Sequence, residues 1–247
     1  MTSSTAQTDP TIIIALDLPT QDAAESFLAG FPWEKRPFLK VGMQLFYATG
    51  PTWVASLKER GYPVFLDLKL HDIPHTVYHA VKSVANLGVD MLTLHAGGGV
   101  SMMAAAREAA EVAGADTMRL VGVTQLTSND QRTMNEEIGI PGTVEDCVRR
   151  YAGLVAQAGL HGIVCSGWEV PMVKQAMREA GTEGIAVVPG IRPQGVASDD
   201  QKRVMTPEQA IQNGADYLVM GRAILRADDP VRVYEQIQQD ITKVRRI

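Results

Sequence analysis

Tyr62-Pro63-Val64-Phe65-Leu66-Asp67-Leu68-Lys69-Leu70-His71-Asp72-Ile73-Pro74-His75-Thr76 contains one complete strand-to-helix unit. The apolar run Val64-Phe65-Leu66, entered at a proline, predicts a buried β-strand. Side chains alternate along a strand, which puts Asp67 and Lys69 on one face and Leu66, Leu68 and Leu70 on the other. A third charge, Asp72, follows the strand, and Pro74 opens a helix in its first turn. Burying charges costs free energy unless they pair. An edge strand in solvent would carry an Asp-Lys pair without that cost, but the apolar flanks argue for a strand inside a sheet. Opposite charges ending a buried strand point to a site of chemistry.

The same unit repeats along the chain. Apolar runs at Thr11–Asp17, Pro37–Val41, Pro63–Lys69, Asp90–His95, Arg119–Thr124, Gly162–Ser166, Ile185–Pro189 and Tyr217–Met220 predict strands. Between and after them, Gln21–Leu28, Thr52–Arg60, Thr76–Leu87, Met102–Val112, Val144–Ala158, Val170–Glu179, Pro207–Asn213 and Pro230–Val244 predict helices. Near-continuous apolar strands suit a parallel sheet covered on both faces. Eight such units in 247 residues predict a (β/α)8 TIM barrel. A doubly wound open sheet is the alternative, but Ile14-Ala15-Leu16-Asp17-Leu18-Pro19 stands where its Gly-x-Gly-x-x-Gly turn would be. No linker divides the chain, so residues 11–247 are expected to form one domain and the polar residues 1–10 a frayed tail.

A net charge of -5 argues against nucleic acid as a partner. No apolar run approaches the ~20 residues of a membrane span, and the N-terminus has no basic-then-apolar leader. Two cysteines, Cys147 and Cys165, cannot build a disulfide framework, and a cytoplasmic location is the simplest expectation. Cys165 lies in a buried-strand pattern and reads as packing.

In a barrel, active sites form where strands end and the following loops begin. Asp17, Lys40, Asp67 and Lys69 end the first three strands, Thr124 to Thr127 follow the fifth, and Pro189 to Arg192 the seventh. Gly221-Arg222 follows the eighth, where a glycine admits an anion to the backbone and an arginine supplies a charged fork. Together with Gly190-Ile191-Arg192-Pro193 it predicts a phosphate site. The long stretch from Gly190 to Thr206 reads as a lid, with Gln201 as a phosphate donor. His95-Ala96-Gly97-Gly98-Gly99 lacks the Lys-Ser/Thr of a nucleotide-binding loop and reads as a tight turn. His71, His75 and His79 are four apart, but Pro74 separates the first from the helix and no Glu or Cys completes a ligand set, so no metal is assigned.

These residues resemble the orotidine 5'-phosphate decarboxylase family. Asp67-x-Lys69-x-x-Asp72-Ile73-Pro74-x-Thr76 carries the resemblance, with Ala15-Leu16-Asp17, Leu39-Lys40-Val41-Gly42, His95-Ala96, Val123-Thr124-Gln125-Leu126-Thr127-Ser128, Pro189-Gly190-Ile191-Arg192-Pro193-Gln194-Gly195 and Gly221-Arg222 in order along the chain. A shorter Asp-x-Lys-x-x-Asp also occurs in related sugar-phosphate decarboxylases and aldolases. The Ile-Pro-x-Thr continuation and the Pro-Gly-Ile-Arg loop favour the orotidylate family.

The resemblance implies conversion of orotidine 5'-monophosphate to UMP and CO2, the last step of de novo pyrimidine biosynthesis, with no cofactor and no metal. It implies a homodimer with shared sites, in which Lys40, Asp67, Lys69 and Asp72 form an alternating charge network and Asp72 and Thr76 reach in from the other subunit. Lys69 is implied as the proton donor to C6. Asp17, Lys40, Asp72 and Thr76 are implied to contact the ribose, Thr127 and the loop after Pro189 the pyrimidine, and Arg192, Gln201, Gly221 and Arg222 the phosphate. The nearest competing reading is a sugar-phosphate lyase using Mg2+. A non-catalytic phosphate-binding barrel is disfavoured, because a sensor has no need of two buried Asp-Lys pairs.

Overall fold

A strand flanked on both sides by neighbours and covered by a helix can be apolar at nearly every position, and the strands of this chain are. The computed structural model describes residues 11–193 and 205–244. Its strands are β1 (Thr11–Ala15), β2 (Phe38–Gly42), β3 (Val64–Leu70), β4 (Met91–His95), β5 (Arg119–Val123), β6 (Gly162–Val164), β7 (Ile185–Val188) and β8 (Tyr217–Met220). They pair in parallel in chain order, and β8 pairs back onto β1, closing the barrel that the repeat predicts. Closure removes every free edge.

The helices are α1 (Gln21–Leu28), α2 (Met43–Glu59), α3 (Pro74–Ala85), α4 (Gly99–Val112), α5 (Val144–Gln157), α6 (Val170–Glu179), α7 (Pro207–Gln212), α8 (Arg222–Leu225) and α9 (Pro230–Val244). Threonine caps several of their first turns. Thr20 and Thr143 accept from Ala23 N and Asp146 N, and Thr206 forms a reciprocal capping box with Gln209.

Alternation sorts the strand residues into two cores. Ile13, Phe38, Phe65, Met91, Val121, Val187, Tyr217 and Val219 fill the barrel, with the Phe38 and Tyr217 rings edge to face at 6.0 Å. Ile12, Ile14, Leu39, Val41, Val64, Leu66 and Leu92 face outward into the layer beneath the helices. Gly162 is needed for this packing, since a Cβ there would lie 2.2 Å from the Ile185 carbonyl oxygen.

The barrel end opposite the strands' carboxyl ends is pinned by a recurring device. The residue just before β4, β6 and β8 accepts a hydrogen bond from a backbone N–H of the preceding strand. Asp90 Oδ2 takes Val64 N (2.7 Å), His161 Nδ1 takes Leu120 N (2.9 Å) and Asp216 Oδ2 takes Ala186 N (2.7 Å). Burial and the nearby Arg107 and Arg119 charges hold the His161 pKa down, which keeps the imidazole neutral and able to accept.

Most element ends fall within two residues of those read from sequence. The exceptions are α4, which starts at Gly99 rather than Met102, and α2, which starts at Met43 rather than Thr52. Gly50, at φ 74°, breaks it, and Pro51 restarts it. The Gly-Pro pair that signals a helix start therefore concealed the roughly two turns before it. The expected turn after β4 is a 3-10 turn over Ala96–Gly98, with Gly99 at φ 77°. Among the described residues, no helix is long and apolar enough to cross a membrane. The expected tail at residues 1–10, and Gln194 to Val204 of the expected lid, lie outside the described residues.

Candidate active site

Alternation carries the inward rows of the barrel, that of β4 excepted, upward into one cavity of about 290 Å3 at the carboxyl ends of the strands. Ala15, Phe65, Val123, Val164 and Val219 form its apolar floor, and the next inward residues are Asp17, Lys40, Asp67, Lys69, Gln125 and Gly221. Thr127, Pro189, Arg192 and Arg222 complete the wall from the loops after β5, β7 and β8. The lining holds four cations (Lys40, Lys69, Arg192, Arg222) and two anions (Asp17, Asp67), in a chain whose net charge is -5. A pocket of that sign attracts an anionic ligand.

The four charges on β1 to β3 alternate in space. Lys40 Nζ lies 3.1 Å from Asp17 Oδ1 and 3.5 Å from Asp67 Oδ2, and Lys69 Nζ lies 2.8 Å from Asp67 Oδ1. Asp67 and Lys40 are largely buried, at 12% and 11% side-chain exposure, whereas Asp17 is 58% exposed. Two cations and two anions sum to zero, which lets the group sit in a low-dielectric wall. Burial pushes the Asp67 pKa up. The Lys40 and Lys69 charges and hydrogen bonds from Lys69 and Thr93 outweigh it, and the carboxyl is held below its usual value.

Lys69 differs from the regular strand expected. Its φ is 51°, the left-handed region seldom used by residues with a Cβ, and the β3–β4 register shifts between Leu66 and Leu70. The Lys69 N–H donates to the Thr93 hydroxyl (2.8 Å), which donates to Asp67 Oδ1 (3.0 Å). Asp67 and Lys69 still reach the same cavity, through a bulge rather than simple alternation.

Asp72 and Thr76 do not join the cavity. Both are exposed at the start of α3, and the Asp72 carboxylate accepts from Ile73 N at 2.6 Å. Within one chain the fourth charge is Asp17, not Asp72. Gln201 lies outside the described residues. Arg192 is buried, and its Nη1 donates to the Ile191 carbonyl at 2.8 Å. His71 stands outside α3 with its ring 5.3 Å from that of His95. Burial, His71 and Lys69 lower the His95 pKa, and Asp67 only partly offsets them. Among the described residues, no group of three or more His, Cys, Asp or Glu is arranged to hold a metal.

Two residues with a part in the site were not assigned one from sequence. Thr93, fully buried, points inward between Met91 and His95 on β4. A polar residue at an inward position of an apolar strand was the available signal. Gln125 is held from both ends of its amide, donating to Cys147 Sγ (3.3 Å) and accepting from Asn129 Nδ2 (3.1 Å). Cys165, read as packing, is buried and also touches the cavity.

A sequence model of the orotidine 5'-phosphate decarboxylase / HUMPS family matches residues 10–237. The chain belongs to that family. An orotidine 5'-phosphate decarboxylase of Streptococcus pneumoniae is 51% identical over 231 residues, 94% of this chain and 96% of that one. Another, of Streptococcus thermophilus, is 49% identical over 92% of this chain and 95% of its own length. Among solved structures, an orotidine 5'-phosphate decarboxylase from Lactobacillus acidophilus superposes with a TM-score of 0.83 at 34% identity, covering 94% of this chain and 99% of that chain. An uncharacterized conserved protein from Geobacillus kaustophilus gives 0.79 at 41% identity, over 93% and 99%.

Proposed function

We propose that this chain decarboxylates orotidine 5'-monophosphate to UMP and CO2, the closing step of de novo pyrimidine synthesis in the cytoplasm. The observation that carries the reading is the Asp17–Lys40–Asp67–Lys69 array on the cavity wall. The substrate carries a phosphate at one end and a carboxylate at the other, which suits a cavity lined by four cations and two anions. Arg192, Gly221 and Arg222 take the phosphate, joined by Gln201. Asp17 and Lys40 take the ribose, and Thr127 and Pro189 border the base.

Phosphate binding fixes the C6 carboxylate near Asp67, where like charge and desolvation oppose the bound substrate. The C6–CO2 bond breaks and its electron pair stays on C6. The Lys69 ammonium stabilises that carbanion and then donates a proton to it. Lys69 recovers a proton from solvent once product leaves. No metal or cofactor takes part, since Asp67 lies between two ammonium groups and Asp17 is paired with Lys40.

The working unit is a homodimer. Asp72 and Thr76 stand exposed outside their own cavity, beside Ile73 at 65% exposure. Met43 and Tyr47, also exposed, share one face at the start of α2. These groups directly follow the neighbouring strands β2 and β3, and docking a second copy there delivers Asp72 and Thr76 to its cavity.

Loss of orotidine 5'-monophosphate followed by ultraviolet absorbance, with EDTA present and UMP identified as product, tests the reaction. Turnover indifferent to the chelator is the expected result. A folded protein that is inactive, or active only on sugar phosphates with Mg2+, defeats the proposal.

A further inference from the structure

We infer that Thr93 is a positioning residue that locks the backbone of Lys69 and the carboxylate of Asp67 into a single arrangement. The inference rests on the decarboxylase reading and deepens it. Between Leu66↔Leu92 and Leu70↔Leu94, β3 spends four residues where β4 spends two. Asp67, Leu68 and Lys69 therefore have no register partner on β4, although Asp67 still pairs with Gly42 of β2, and Lys69 enters the left-handed region at φ 51°. A side chain with a Cβ stays there only where its surroundings hold it.

The Lys69 N–H is taken instead by the Thr93 hydroxyl at 2.8 Å, and the same hydroxyl lies 3.0 Å from Asp67 Oδ1. The proton assignment has one solution. A backbone N–H only donates and an ionised carboxylate only accepts, so the single hydroxyl proton must go to Asp67 while a lone pair receives Lys69. Thr93 is fully buried, so water cannot substitute easily for either bond. One hydroxyl thus ties the bulge from which the Lys69 side chain is thrown to the carboxylate it faces. It touches no reacting atom, and it acts through the other two.

The test compares wild type with Thr93→Val, Thr93→Ser and Thr93→Cys in steady-state decarboxylation, with cooperative unfolding followed for each. Valine keeps the shape and removes both hydrogen bonds. It should lower kcat about 10- to 100-fold, the rate equivalent of a hydrogen bond to a charged group, with KM changed by less than about threefold. Serine should recover most of the loss, and cysteine, a weak donor, should fall between serine and valine. The acid limb of the kcat profile should move to higher pH in Thr93→Val, because Asp67 loses a donor to its ionised form. If valine does not fold, the order serine above cysteine carries the test. Wild-type kcat in Thr93→Val, equal damage from serine and valine, or an unmoved acid limb would each overturn the inference. An inactive wild type would instead overturn the decarboxylase reading and take this inference with it.

Discussion

Replacing Asp67 with asparagine changes little in shape and leaves the cavity wall with an uncompensated positive charge. Asp67 is 12% exposed and receives Lys69 at 2.8 Å, Lys40 at 3.5 Å and the Thr93 hydroxyl at 3.0 Å. Removing one member of a buried ion pair costs about 3–5 kcal/mol. The lower end applies here, because Lys69 is 25% exposed and Lys40 keeps Asp17. About 3 kcal/mol corresponds to a fall in Tm of roughly 6–12 °C for a domain of this size. The pH dependence supplies the sharper signature. The pKa of Asp67 is lower in the folded protein than unfolded, so its contribution is fully present above the unfolded value of about 3.9 and is lost as pH falls through the folded value. The Tm gap between wild type and Asp67→Asn, followed by circular dichroism, should be constant from pH 7 to 5 and narrow below about pH 4. A gap that persists unchanged into acid, or a variant more stable than wild type at pH 7, would refute the claim that the lysines more than compensate the burial of this carboxylate.

Two further outcomes follow from the proposed function. Lys69→Ala and Asp72→Ala proteins, each inactive alone, should regain activity when mixed and allowed to exchange subunits, since one site of the heterodimer keeps both native residues. No recovery after exchange is demonstrated would remove Asp72 from the shared site. Arg222→Ala should lower kcat/KM for orotidine 5'-monophosphate by about 10- to 100-fold, as expected for a charge-assisted bond to phosphate. The loss should disappear with the nucleoside orotidine, and an equal loss on both substrates would take Arg222 off the phosphate.

The barrel was legible because its signal is repetition. Eight apolar runs and eight amphipathic stretches leave few topologies open, and alternation alone puts Asp67 and Lys69 on one face of their strand. Alternation could not convey the bulge at Lys69. Nothing in Leu68-Lys69-Leu70 marks a left-handed residue, since the conformation is imposed by a hydroxyl 24 residues further along the chain. Thr93 stands out in sequence only as a polar residue in an apolar strand, and its role exists only once β3 and β4 are paired. The first turns of α2 were hidden by Gly50-Pro51. Asp72 illustrates another limit. Its spacing from Asp67 and Lys69 put it in the motif, but one chain leaves it outside the cavity, and only the resemblance gave it a place across a subunit boundary.

The proposed reaction turns on Lys69 stabilising and protonating a carbanion at C6, and that step can be watched in reverse without CO2. UMP incubated with the protein in D2O should exchange its C6 hydrogen for deuterium, read by proton NMR. Microscopic reversibility requires that the group donating the proton also remove it. Wild type should show exchange, and folded Lys69→Ala none above background. Exchange at the wild-type rate in Lys69→Ala, or none in a wild-type protein that turns over orotidine 5'-monophosphate, would contradict it.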